Sequence, residues 1–261
     1  MIEEVFNHYY AKSYNLLYKD KDYQQEVDFI HAIYERFSLK HPQQQRPLQL
    51  LSLGCGSGNH DLLLSSQYGY SIVGVDRSQA MIEMAKARGG EQPSVEFHCC
   101  DIKAMDFKKS FDGVHSLFHV VNYFNTNEDL KKFFQKVADH LSLGGIGIFD
   151  TWYGPAVLTE RPETRVKKVS DSEWQLWRQA TPRLRHQENI VEVHYDLLMK
   201  NQKTNELHEI KEMHSMRYLF HPEILEFLAG CGLELIHYGE FLSDKQLTAN
   251  TWNAYYVCKK V

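Results

Sequence analysis

An apolar run at residues 48–53 passes directly into three glycines at alternate positions, Gly54-Cys55-Gly56-Ser57-Gly58. This junction limits the folds open to the chain more than any other feature. Glycine reaches backbone conformations that other residues avoid, so a strand ending in such a turn lets a ligand approach the main chain closely. Open α/β sheets use that arrangement after their first strand. The residues beyond it keep the same rhythm. Further strand-like runs lie at 71–76, 95–101, 111–117 and 145–150, with helical patterns between them. Ser78 is placed to cap a helix carrying Met81, Ile82 and Ala85. The best-marked helix has Thr126 as its cap, Glu128 and Asp129 at its positive dipole end, and Gly144 as its stop. Between them Leu130, Phe133, Phe134, Val137, Ala138 and Leu141 form one apolar stripe. Strand and helix alternating in this way predict an α/β chain with a doubly wound, mainly parallel sheet covered on both faces.

The flanks read differently. Residues 1–41 give two helices, the second placing Val27, Ile30, Ile33, Tyr34 and Phe37 on one face, and 41–47 is a polar linker bounded by prolines. Residues 164–219 hold strand-like segments and no convincing amphipathic helix; 191–197 alternates cleanly and 201–205 suits a hairpin turn. This stretch is expected to be an antiparallel β insertion forming a lid or substrate wall. Pro222 then opens a helix carrying Ile224, Leu225, Phe227 and Leu228 that stops near Gly230, and strands at 233–241 and 251–259 close the chain. The expected units are therefore N-terminal helices (1–46), a ligand-binding core (47–150), the insertion (151–219), and a C-terminal helix with the last two strands (220–261).

Composition narrows the function by exclusion. A net charge of −5 over 261 residues, with Lys108-Lys109, Lys131-Lys132 and Lys167-Lys168 as isolated doublets, does not suit a nucleic-acid partner. The acidic N-terminus is not a secretory signal, and no run approaches the ~20 apolar residues of a membrane span. The five cysteines never form a C-x-x-C pair, which suits reduced thiols and a cytoplasmic location. The 14 histidines show no ligand spacing, so no metal is expected.

The ligand is narrowed by spacing. The loop is GxGxG, and Asn59 stands where a dinucleotide fingerprint needs its third glycine. No Gly-Lys-Ser/Thr follows, which excludes a phosphate-cradling nucleotidase loop. Asp76 ends the second run, where a carboxylate can accept hydrogen bonds from both ribose hydroxyls, although a plain loop acid is the alternative reading. Asp101-Ile102 ends the third, offering a carboxylate to an adenine amino group and an aliphatic side chain to its ring. Together these point to an adenosine without a pyrophosphate.

On these segments, with Gly74-Val75-Asp76-Arg77-Ser78-Gln79-Ala80-Met81 and Leu141-Ser142-Leu143-Gly144-Gly145, residues 48–150 resemble the class I S-adenosylmethionine-dependent methyltransferases. Ser52 departs from the acidic or similar polar residue usual there. The resemblance implies a seven-stranded sheet of order 3-2-1-4-5-7-6 with the last strand antiparallel. It also implies S-adenosylmethionine as methyl donor, S-adenosylhomocysteine as product, and a cofactor site at Gly54, Cys55, Gly56, Gly58, Asp76, Arg77, Met81, Asp101, Ile102 and Leu117. Aromatic faces suit a sulfonium, and aromatics cluster at Tyr9, Tyr10, Tyr14 and Tyr23, at Phe118 and Tyr123, and at Trp152-Tyr153. Histidine is the side chain most often used as a general base, which makes His119 a candidate, and Asp150 is a second; Asn122 follows the same strand.

More loosely, Tyr14 with Lys21-Asp22-Tyr23, residues 117–123, 149–155 and Met216-Arg217-Tyr218 resemble the nucleotide-linked deoxyaminosugar N-methyltransferases. That likeness implies Tyr14 and Tyr23 closing the cofactor site, with Tyr14 also a candidate catalytic group. It implies Asn122, Tyr123, Trp152, Tyr153, Arg178, Arg217 and Tyr218 on the acceptor side, where an arginine suits a diphosphate. The expected reaction is methylation of a small-molecule acceptor, an amine of a nucleotide-linked sugar. The alternatives are O-methylation of a surface-polysaccharide precursor or other metabolite, a nicotinamide-dependent oxidoreductase, and a cofactor-binding protein without catalysis. The sequence leaves the acceptor, the number of methyl groups and the oligomeric state open, a homodimer among the options.

Overall fold

The computed structural model describes residues 8–38, 47–90 and 92–261. The 1–6 segment, the side chains of Tyr9 and Tyr10, and the linker expected at 41–47, Pro47 apart, lie outside the described residues. Helices α1 (His8–Leu17) and α2 (Tyr23–Phe37) precede β1 (Gln49–Leu53), α3 (Asn59–Tyr68), β2 (Ser71–Asp76), α4 (Gln79–Gly89), β3 (Val95–Cys99) and β4 (Phe111–Ser116). A 3-10 helix (Val120–Tyr123), α5 (Asn127–His140), β5 (Leu141–Trp152) and α6 (Gly154–Glu160) follow. Then come β6 (Arg165–Ser170), β7 (Trp174–Arg185), β8 (Ile190–Asn201) and β9 (Leu207–Arg217), before α7 (His221–Ala229), β10 (Leu233–Glu240) and β11 (Asn253–Lys260).

Seven strands make one sheet in the order β10-β11-β5-β4-β1-β2-β3, with β11 antiparallel to both its neighbours. Numbered without the insertion this is 3-2-1-4-5-7-6, the expected order. Strands β6 to β9 form a separate four-stranded sheet, antiparallel throughout.

Alternation sorts the side chains. Leu50 of β1 joins Val27, Ile30, Ile33 and Tyr34 of α2 on one face. Leu51 and Leu53 join Leu130, Phe133, Phe134 and Val137 of α5 on the other. The registers Leu53↔Val75 and Asp76↔Cys99 bring the carboxyl ends of β1, β2 and β3 to one edge. Leu16 and Leu17 of α1 pack with Met81 of α4 and with Trp174, Leu176, Leu197 and Ile210 of the small sheet. The first helix thus binds the two sheets together.

Two local expectations are corrected. Helix α5 stops at His140, with buried Leu141 already extended as its C-cap, rather than near Gly144. The pairing of β4 with β5 jumps from Phe111↔Leu141 to Gly113↔Ile146, so Gly144, at φ 77°, serves the bend inside β5. Helix α6 was not anticipated; seven residues are too few to show a helical period.

Candidate functional site

The glycine loop is shaped by what surrounds it. Gly54 and Gly58 both have φ 74°, and a Cβ at either would press into Val120 (2.5 Å) or Phe97 (2.6 Å). The amides of Gly54 and Cys55 both donate to the Val75 carbonyl, fixing the loop beside the end of β2. There Asp76 accepts the Gly56 N–H on Oδ2 and the Ser78 N–H on Oδ1, each at 2.9 Å. A carboxylate offers about four lone-pair positions, so room remains for a ligand hydroxyl. Burial pushes this carboxyl above its ordinary value, against the pull of the Ser78, Gly56 and Arg77 amides and of the Arg77 charge.

Two cavities adjoin at this edge. The first, of about 1020 Å³ and partly open to solvent, is walled by Gly54, Cys55, Gly56, Asp76, Met81 and Leu117. Its other walls include the rings of Tyr14, Tyr18, Tyr23, Phe118, Tyr123, Trp152 and Tyr195, with Val120, His214 and Met216, and a polar patch at Asn59, His60 and Asp61. The second, of about 690 Å³, is walled by Gly54, Asp76, Arg77, Asp101, Ile102, Val120, Tyr123 and Phe124. Gly54, Asp76, Val120 and Tyr123 belong to both. The second space has an acid and a buried aliphatic side chain for a purine; the first is a box of aromatic faces for a cation. These residues fit S-adenosylmethionine, and the Asp76 carboxylate stands at the boundary of the two spaces.

Every residue expected at the cofactor lines one cavity or the other except Gly58, which instead starts α3 in its left-handed conformation. Tyr14 is buried deeply enough that its phenol stays far above the ordinary pKa.

The acceptor and catalytic candidates divide. Tyr123 and Trp152 line the first cavity. Asn122 is fully buried and structural, its amide bridging Thr151 Oγ1 and the Arg217 carbonyl. Arg217 itself is held by Glu223 and Asn127, because a buried guanidinium needs carboxylate and carbonyl partners. Tyr218 is core, 1% exposed, and Tyr153 caps α6 and packs on the main core. Arg178 lies over the Tyr195 ring at 5.2 Å, and its guanidinium donates to the Tyr18 hydroxyl at 3.4 Å, so it backs two rings of the first cavity.

His119 and Asp150 pair with each other behind the aromatic box. Asp150 Oδ1 accepts the His119 N–H at 2.9 Å, and the ring Nε2 meets Asn253 Oδ1 at 3.0 Å. Phe118 and His119 are both left-handed, at φ 67° and 63°, which costs non-glycine residues energy and is held here by Asp150. Burial raises the Asp150 carboxyl, with His119 opposing.

Sequence reasoning missed Tyr18, Tyr195, His214 and Met216. Tyr195 and Met216 carried the strand alternation that marks an inward face, but nothing local tells which cavity a strand faces.

Residues 50–145 match the family described as a methyltransferase domain. A dTDP-4-amino-2,3,4,6-tetradeoxy-D-glucose N,N-dimethyltransferase of Saccharopolyspora spinosa is 32% identical over 106 residues, 41% of each chain. A dTDP-3-amino-3,4,6-trideoxy-alpha-D-glucopyranose N,N-dimethyltransferase of Streptomyces venezuelae is 27% identical over 153 residues, 58% of this chain and 60% of that one. The chain thus spans about half the length of these curated relatives. A crystal structure of a S-adenosylmethionine-dependent methyltransferase from Clostridium acetobutylicum shares the fold at a TM-score of 0.78 and 22% identity, covering 97% of this chain and 98% of that one.

Proposed function

We propose that this chain, whose residues 50–145 belong to the methyltransferase domain family, moves a methyl group from S-adenosylmethionine to the amine of a nucleotide-linked sugar. The observation that carries the reading is the shared wall. A purine-sized space and an aromatic box meet at Gly54, Asp76, Val120 and Tyr123, so donor and acceptor meet across one boundary. The names of two of the matched relatives, both dTDP-aminosugar dimethyltransferases, support the acceptor class.

When bound, the cofactor supplies a sulfonium methyl carbon open to in-line displacement. The chain's contribution is placement and exclusion of water. The glycine loop lets the ligand lie against the backbone, Asp76 orients the ribose, and Asp101 with Ile102 receives the adenine. Tyr14, Tyr23 and Phe118 shield the sulfonium, and the Asp150–His119 pair acts by holding Phe118 in place. Trp152 and the inner face of the small sheet shape the acceptor space. In this reading the four units 1–46, 47–150, 151–219 and 220–261 divide into closure, cofactor core, acceptor wall and sheet completion. Five unpaired cysteines favour a reducing, cytoplasmic setting.

Calorimetric titration with S-adenosylhomocysteine should show binding. Incubation with S-adenosylmethionine and either dTDP-aminosugar named above should then add one or two methyl groups to the amine by mass spectrometry. No binding overturns the cofactor assignment. Binding with methylation only of a hydroxyl on a polysaccharide precursor overturns the amine.

A further inference from the structure

Strand β9 places Glu212 and His214 on one face, two residues apart, between Ile210 and Met216. Those two neighbours are apolar, and both polar side chains are buried, at 7% and 3% exposure. A carboxylate and an imidazole cost desolvation there, and apolar residues of similar size would hold the strand at least as well. Their geometry is that of a relay. His214 Nε2 lies 2.9 Å from Glu212 Oε2, and His214 Nδ1 lies 2.6 Å from the Tyr123 hydroxyl. Tyr123 and His214 both line the first cavity, and Tyr195 stands edge-on to His214 with ring centroids 4.9 Å apart.

The hydrogens follow from the partners. An ionised carboxylate only accepts, so Nε2 of a neutral His214 carries the ring proton and donates to Glu212. Nδ1 is then an acceptor, and Tyr123 must donate its O–H to it. The phenol oxygen is left as an acceptor toward anything else it meets. A group approaching this wall is therefore selected for N–H or O–H donors.

We propose that Tyr123, backed by His214 and Glu212, takes the proton from the group that is methylated; the inference rests on the methyl-transfer reading above. A sugar ammonium gives one proton to the Tyr123 oxygen while the phenol proton passes to His214 Nδ1. This leaves a neutral amine, an intact Tyr123 and an imidazolium whose charge Glu212 balances. The amine lone pair then forms the N–C bond as the C–S bond breaks, its electron pair staying on sulfur. The product is again an ammonium, and the proton on His214 leaves to solvent before the next turn. A second methylation repeats the same cycle. Tyr123 is the catalytic residue in this scheme; His214 and Glu212 act through it.

Other charged and titratable groups face this chain. Arg77 lies 5.9 Å over the Tyr123 ring and Arg178 lies 5.2 Å over Tyr195. Among the described residues the phenols of Tyr14, Tyr18 and Tyr195 face it too. The relay predicts an acid limb in the pH profile, since an imidazolium at rest has no lone pair on Nδ1.

The test follows kcat against pH for the full chain with the two dTDP-aminosugars, beside Tyr123→Phe, His214→Gln and Glu212→Gln. Tyr123→Phe and His214→Gln should each lower kcat at neutral pH by about 10²-fold, the lower range for a lost general base. S-adenosylhomocysteine affinity should stay unchanged in Glu212→Gln, whose side chain lines neither cavity. His214→Gln should lose the acid limb. Glu212→Gln should move it to lower pH, because an imidazole without its carboxylate protonates less readily. Nitrogen NMR of the ligand-free protein should find His214 protonated on Nε2, with its Nδ1 shift moved in Tyr123→Phe. If His214→Gln fails to fold, Tyr123→Phe, which deletes one oxygen, carries the kinetic test. Turnover with an unchanged acid limb in His214→Gln, undiminished kcat in Tyr123→Phe, or an Nδ1–H tautomer overturns the relay alone. Absence of turnover by the parent with both sugars overturns the proposed function, and the relay with it.

Discussion

At Gly54 the backbone sits at φ 74°, with Val120 Cγ2 2.5 Å from where a Cβ would stand. Gly54→Ala therefore meets both a backbone penalty of about 1–2 kcal/mol and a steric clash with a cavity wall. It should lower the melting temperature and abolish S-adenosylhomocysteine binding in calorimetry. Asp76→Ala removes the proposed ribose acceptor; hydrogen bonds to a charged group contribute about 1.5–3 kcal/mol each, so affinity should fall by more than about tenfold. The pH dependence has opposite signs for folding and binding. Burial holds the Asp76 carboxyl above its usual 3.8, so the folded chain binds more protons than the unfolded one between those two pKa values. Its contribution to stability falls as pH rises through that window. Cofactor affinity should rise through the same window as the carboxylate forms, which titration calorimetry in acidic buffers can follow. Gly54, Asp76 and Asp101 were legible because fixed spacing after successive strands encodes them. The role of Arg217 was not, because charge suggests a diphosphate while only the fold reveals Glu223 as its neighbour.

Among the elements, α5 illustrates how local signals add up. Thr126 Oγ1 accepts the Asp129 N–H at 3.0 Å, and Leu130, Phe133, Phe134 and Val137 are buried beneath. Thr126→Ala should cost about 1 kcal/mol, lowering the melting temperature by about 2–4 °C while leaving cofactor affinity unchanged. The stripe and cap were readable in sequence because both repeat at fixed helical intervals. The end of α5 was misplaced because Gly144 looks like a helix stop but serves a bend within β5. The small antiparallel sheet was visible from alternation at 191–197. Its inward side, and with it Tyr195, Glu212 and His214, depends on docking to α1 and the 3-10 helix.

Across the whole molecule, α1 joins the two sheets. Leu17 is fully buried among Met81, Trp174, Leu176 and Leu197, and Lys19 Nζ donates to the Ser170 carbonyl at 2.9 Å. Tyr14 and Tyr18 rise from this segment into the first cavity. Leu17→Ala should destabilise the chain by about 2–5 kcal/mol, seen by thermal denaturation. It should also weaken S-adenosylhomocysteine binding, although no atom of Leu17 lines either cavity. The common wall of the two cavities has a further consequence. Ligands that press on the same four residues cannot have independent affinities. Whatever factor the donor adds to the grip on the acceptor, the acceptor returns to the donor, because the coupling free energy is one quantity read from two sides. On the proposed reading the spent cofactor belongs to the same cycle of linked equilibria, and its departure resets the pocket that the next acceptor meets.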